Sequence, residues 1–205
     1  MMNRSAKAML FAFVGVAAAG GGALAVLVQH GVSARDEPTA IEAWIARRAR
    51  RLATPRNQRE AQNPVPVTPE VLDRARAHFA DHCASCHGND GRGRTSIGQN
   101  LYPKVPDMWH AETQSLSDGE LFSIIKNGVR LTGMPAWGGD TPEDDKETWE
   151  LVRFIRHLPT ISEAELQEMK DLNPKSRKEY EEEEETRRFL AGSAQAPASP
   201  PEHKH

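Results

Sequence analysis

Cysteine is scarce: two residues in 205, too few for a disulfide framework. Positive charge is not concentrated enough to hold nucleic acid, since the net charge is −3 and residues 31–64, the most basic of four broad segments, carry a surplus of only three. Nothing between Thr68 and Pro159 reads as a sustained strand, and no βαβ pattern is present. The rest of the composition, 38% hydrophobic and 27% charged, is ordinary for a soluble protein, and the length suits about one domain with appendages.

The two cysteines lie three apart in Cys83-Ala84-Ser85-Cys86-His87. Such a pair can be a thioredoxin-like dithiol, half of a zinc site or a haem attachment point. The dithiol needs the βαβ context that is missing. Zinc needs more ligands, for which no cysteine remains and only His78 and His82, one turn apart, offer themselves. Haem suits the spacing: two thiols add to the two vinyl groups along one porphyrin edge, and the next residue, His87, brings an imidazole under the iron.

Exported haem chemistry predicts a targeting segment. Met9 to Val28 is an uncharged run preceded by Arg4 and Lys7. At about 1.5 Å per helical residue, such a run spans roughly a bilayer core. Residues 1–30 are therefore expected to be a retained membrane anchor with its N-terminus cytoplasmic, although Val32-Ser33-Ala34 is an acceptable cleavage sequence.

Residues 31–67 form a basic juxtamembrane region. Within it, 40–52 is a predicted helix opened by Thr39 and Glu42 as a capping box. Its apolar residues Ile41, Ile45 and Leu52, with Trp44 and the basic cluster Arg47, Arg48, Arg50 and Arg51, suit a helix lying on anionic lipid. A solvated linker helix has the same pattern. The Pro-containing stretch that follows, 53–68, reads as an extended spacer.

A domain is expected over 68–160. Thr68 caps a helix with Pro69 in its first turn, and Leu72, Ala75 and Phe79 share one face. A glycine-bearing loop follows the cysteine motif, Ser117 with Glu120 opens another helix, and Thr141-Pro142 opens a last one carrying Trp149, Leu151, Val152, Phe154, Ile155 and Leu158. Residues 161–190 form an acidic helical extension, begun by Ser162 with Glu165 and containing Glu181–Glu185, with docking to a partner as one possible role. The tail, 191–205, is expected to be disordered, and its His203 and His205 are conceivable metal ligands.

Several motifs occur in a fixed order: Phe79 four residues before Cys83, the Cys-x-x-Cys-His run, Gly91-x-Gly93, Gly98-Gln99-Asn100-Leu101, Leu116 to Leu121, Asn127-Gly128, and Gly133-Met134-Pro135-Ala136-Trp137. In this order residues 68–159 resemble class I monohaem c-type cytochromes of the membrane-anchored bacterial type, similar to the haem domains of cbb3-type oxidase subunits. The resemblance implies an all-α fold around one covalent haem c, with the first helix packed through Ala75 and Phe79 against the last near Trp149. It implies thioether bonds from Cys83 and Cys86, and iron held by His87 and Met134. Met108, another histidine or an open position are the alternatives on the second side. Leu101, Tyr102, Trp109, Ile125 and Leu131 would form the apolar shell. Gln99 departs from the family, which often has proline there; a nearby carbonyl is expected to hold the second nitrogen of the histidine ligand. The implied function is electron transfer between redox donor and acceptor proteins at a bacterial inner membrane, with the haem domain in the periplasm and no enzymatic step of its own. A permanent electron-input subunit of an oxidase or dehydrogenase is the alternative, and a haem enzyme or gas sensor a third.

Overall fold

The computed structural model describes residues 3–30 and 33–190. The tail with His203 and His205, and Val32 of the cleavage sequence, lie outside the described residues. Among the described residues every regular element is helical.

Helix α1, Arg4–His30, contains a 23-residue stretch long and apolar enough to cross a membrane, none of it buried against the protein. Helix α2, Ala40–Ala53, begins with the complete Thr39–Glu42 capping box. The spacer expected after it is instead folded: α3, Arg56–Arg59, forms a single turn, and the chain beyond it is bound to the haem-domain region by side chains that the sequence pattern does not reveal.

The compact part is built on α4, Pro69–His78, and α8, Pro142–His157, which pack along each other. Thr68 accepts from the Val71 N–H at the start of α4, and Thr141 with Asp144 caps α8. Val71, Ala75 and Phe79 form the buried stripe of α4, so Val71 takes the place expected for Leu72. Phe79 meets Phe154, ring centroids 5.1 Å apart, and Trp149 stacks at 4.2 Å on Phe122. Phe122 belongs to α7, Asp118–Asn127, opened by the Ser117–Glu120 capping box. Leu151, Val152, Phe154, Ile155 and Leu158 close the core, and each such side chain contributes about 1.5–3 kcal/mol by leaving water.

Three short elements connect these helices: α5, Ala84–His87; a 3₁₀ turn at Gly98–Asn100; and α6, Ala111–Gln114. Beyond a second 3₁₀ turn, Leu158–Thr160, helix α9, Glu163–Leu172, returns to the core with Met169 fully buried. Helix α10, Arg177–Leu190, has no buried residue.

Candidate haem-binding site

The attachment motif begins where α4 widens. From Phe79 to Cys83 the chain makes a π turn, in which the Ala84 N–H reaches back five residues to the Phe79 carbonyl. Such turns are rare and gather at functional positions. Phe79 and Ala80 are buried there and anchor the turn, and the chain continues directly into α5, which carries Cys86 and His87.

Both cysteines are free thiols. Burial, together with the neighbouring Cys86, pushes the Cys83 thiol up to about 12, so it stays protonated at neutral pH. His87 is only 9% exposed, and burial pushes its imidazole down to about 4. The ring is therefore neutral at pH 7, the form that ligates metal. Its Nδ1 is buried without a hydrogen-bond partner, so the carbonyl expected from the family resemblance is not in bonding position.

The loop after His87 is folded tightly around it. The Gly93 N–H donates to the His87 carbonyl at 2.6 Å, Thr95 Oγ1 donates to the Cys86 carbonyl at 3.0 Å, and the Gly98 N–H donates to Thr95 Oγ1 at 2.9 Å. Gly93 has φ +68° and lies so near Val105 that a Cβ would stand 2.6 Å from its carbonyl oxygen, which leaves glycine alone at this position. Gln99, the departure from the family, uses its amide to hold the Gly93 carbonyl at 2.8 Å. The side chain thus tethers the turn that a proline would stiffen.

Met134 sits on the loop between α7 and α8. Val129 N–H donates to the Met134 carbonyl at 3.0 Å, and the Met134 N–H donates to Thr132 Oγ1 at 3.1 Å. The far end is fixed by Trp137 and Gly138, whose N–H groups donate to the Ile125 and Lys126 carbonyls. This loop touches the attachment region twice: Gly133 lies against Leu101, just after the Gly98–Asn100 turn, and Trp137 meets His82, just before Cys83. Met108, by contrast, is buried in the hydrophobic core, where its backbone N–H donates to the Gly91 carbonyl.

The expected apolar shell is distributed unevenly. Ile125 is buried, Trp109 is half-buried with Nε1 donating to the Asp90 carbonyl, and Leu131 stands 92% exposed on the methionine loop with φ +63°. Tyr102 turns its hydroxyl to Glu42 of α2. The residues present fit a haem: two free thiols three apart, a neutral buried imidazole with an unpartnered nitrogen, and a large apolar side chain held outward beside a methionine. Among the described residues no group of three or more His, Cys, Asp or Glu side chains converges to hold a metal ion, so the zinc reading of the cysteine pair finds no ligand set there. The contact between His82 and Trp137 was not expected from the sequence, because nothing in their spacing signals a meeting across 55 residues.

These features define a c-type haem domain. Comparison with known proteins agrees: residues 70–155 match the family described as Cytochrome C oxidase, cbb3-type, subunit III. The chain is similar to the Cbb3-type cytochrome c oxidase subunit FixPc of Rhizobium leguminosarum bv. viciae, 30% identical over 94 residues, which cover 45% of this chain and 30% of that protein. It is also similar to the subunits FixP of Rhizobium meliloti (strain 1021), 29% identical over 94 residues, and of Sinorhizobium medicae (strain WSM419), 32% identical over 96 residues; each match covers 45% of this chain and 29% of the relative. The chain spans about a third of the length of these relatives. Residues 70–155 are a c-type cytochrome domain similar to those of cbb3-type oxidase subunits, and the cofactor of such a domain is a covalently bound haem c with its iron.

Proposed function

We propose that this chain is a membrane-tethered electron carrier whose haem is held by Cys83 and Cys86 and ligated by His87 and Met134. The observation that carries this reading is His87: a buried, neutral imidazole with an unpartnered nitrogen, directly after two free thiols, inside the segment matched to the cytochrome family. Haem iron supplies the electron-storing centre, cycling between ferric and ferrous states. The chain's own residues bind it, orient it and keep water from it, and no acid, base or nucleophile is required. Met134 is the second ligand, because its loop is pinned at both ends and meets the attachment region through Leu101 and His82. A thioether suits an iron that changes valence without changing ligands.

In this reading α1 spans a bacterial inner membrane, Arg4 and Lys7 stay on the cytoplasmic side, α2 lies at the outer surface, and the haem domain works in the periplasm between donor and acceptor proteins. Domain boundaries follow as 1–30 anchor, 31–67 juxtamembrane region, 68–160 haem domain, 161–190 acidic extension and 191–205 tail. A permanent place in an oxidase complex is the second reading. The relatives named as oxidase subunits favour it, as does the folded state of the segment expected to be a free spacer.

The test is covalent attachment. Denatured protein should keep its haem on a gel, and Cys83→Ser should remove most of that stain. Mature protein with both thiols free to alkylate would overturn the assignment. Retention in membranes after alkaline washing tests α1 separately.

A further inference from the structure

Helix α2 has two sides with different company. On one, Ile41, Ile45 and Leu52 form an apolar stripe, 72%, 54% and 83% exposed, with exposed Trp44 at its edge. Arg48 lies within this side, its guanidinium 5.7 Å from the Trp44 ring centroid. On the other side Arg50 is half-buried beside Glu120, Arg51 Nε lies 3.7 Å from the same carboxylate, and Glu42 accepts from the Tyr102 hydroxyl. Lys104 Nζ donates to the Ala34 carbonyl at 2.7 Å, just ahead of α2. The helix therefore grips the haem domain and turns its apolar residues directly away from it.

The chain between α2 and α4 completes the grip. Ser117 Oγ donates to the Arg59 carbonyl at 2.5 Å, Asn63 Nδ2 donates to the Trp149 carbonyl at 2.9 Å, and Arg153 donates to the Val65 and Asn63 carbonyls at 2.8 and 3.1 Å. Val65 is buried. Gly119, near the start of α7, allows the closest approach: a Cβ there would collide with the Gln58 carbonyl oxygen and stand 3.1 Å from that of Arg59.

An apolar stripe that carries Arg48 and is flanked by Arg47, joined by a short connection to a membrane-length helix, has the chemistry of the headgroup boundary of an anionic leaflet. We infer that α2 lies in that boundary and, through the strap at 55–66, seats the haem domain in one fixed orientation on the membrane. The inference rests on α1 spanning the bilayer. A haem domain held this way exchanges electrons with partners in the same membrane, since it cannot turn its haem toward an arbitrary direction.

Electron paramagnetic resonance of the ferric haem in oriented multilayers tests this with the full-length holoprotein in bilayers containing phosphatidylglycerol. The wild-type signal should change as the layers are rotated in the field. Gly119→Val should lose that angular dependence while keeping the haem stain and optical spectrum. Asn63→Ala with Val65→Ser, which leaves α7 untouched, should lose it too, and so should the triple change Ile41→Glu, Ile45→Glu, Leu52→Glu. Wild-type protein that resists alkaline washing yet gives a signal independent of angle would overturn the inference and leave the anchor standing. Equal angular dependence in pure phosphatidylcholine would overturn the anionic assignment, and a dependence that survives all three variants would overturn the role of α2 and the strap. Loss of the protein from washed membranes would instead count against the anchor itself.

Discussion

Trp137 sets its ring edge-on to His82, with centroids 5.6 Å apart and planes at 85°. One residue lies three positions after Met134 and the other immediately before Cys83, so this contact joins the methionine loop to the attachment turn. An aromatic pair of this geometry contributes about 1 kcal/mol. Trp137→Ala should shift the balance between ligated and detached Met134 roughly fivefold. Carbon monoxide should then bind the ferrous protein faster than it binds wild type, which stopped-flow mixing would measure; an unchanged rate would show that the ring does not restrain the loop.

The two methionines separate ligation from packing. Met108 is a core residue, so Met108→Ala should lower stability by about 2–5 kcal/mol and leave the optical spectrum alone. Met134→Ala should do the opposite: abolish the sulfur-to-iron charge-transfer band, open the iron to carbon monoxide and cost little in denaturant midpoint. Met134→His should stay six-coordinate with a lower midpoint potential, because thioether and imidazole ligands set different potentials. If the charge-transfer band survives Met134→Ala, another group holds the iron.

Glu165 gives a pH signature. Partial desolvation pushes its carboxyl up, but the Ser162 backbone N–H and hydroxyl and the His157 ring outweigh this and hold it down at about 2, against an ordinary 4.5. Because the folded value is depressed, the unfolded chain binds the proton first. The stabilisation is complete above about 4.5 and is lost as pH falls toward 2. Glu165→Gln should therefore lower the denaturant midpoint at pH 7, and the gap to wild type should close by about pH 2. A gap that stays constant across this range would show that the carboxylate's charge contributes nothing.

Ser117 serves two partners. Its hydroxyl oxygen accepts from the Glu120 N–H at 3.1 Å and donates to the Arg59 carbonyl at 2.5 Å. Ser117→Ala removes a helix cap, which costs about 1 kcal/mol, and also releases α3. Urea titration should show the lost stability, and limited proteolysis should show faster cutting near Arg56 and Arg59. Ser117→Asp would keep the cap without the donor, restoring the first property and not the second.

Local signals carried most of the fold. Each helix start the sequence offered, at Thr39, Thr68, Ser117, Thr141 and Ser162, opens a helix in the structure, because a cap is satisfied within one turn and needs no distant partner. The matched family and the all-helical domain likewise follow from residues near one another in the chain. Long-range pairing was not legible. Periodicity marked Leu72 as well as Val71 could have been marked, and only the approach of α8 decides which is buried. The strap at 55–66 read as a spacer, since its prolines and polar residues conceal that Asn63 and Val65 offer carbonyls to Arg153. At the candidate site, Cys83, Cys86 and His87 are proposed from their spacing, whereas Trp137 and Gln99 make contacts that spacing does not encode.

The bond from Asn63 to Trp149 closes a loop of 86 residues, and those from Arg153 close loops of 88 and 90. A ribosome delivers the chain from its N-terminus, so α1 and α2 exist well before the groups that lock the strap. Until α8 has been made, Asn63 and Val65 lack the partners that hold them, and the cysteine segment is joined to α2 only through an open strap. Synthesis of α8 supplies those partners and lets the strap close.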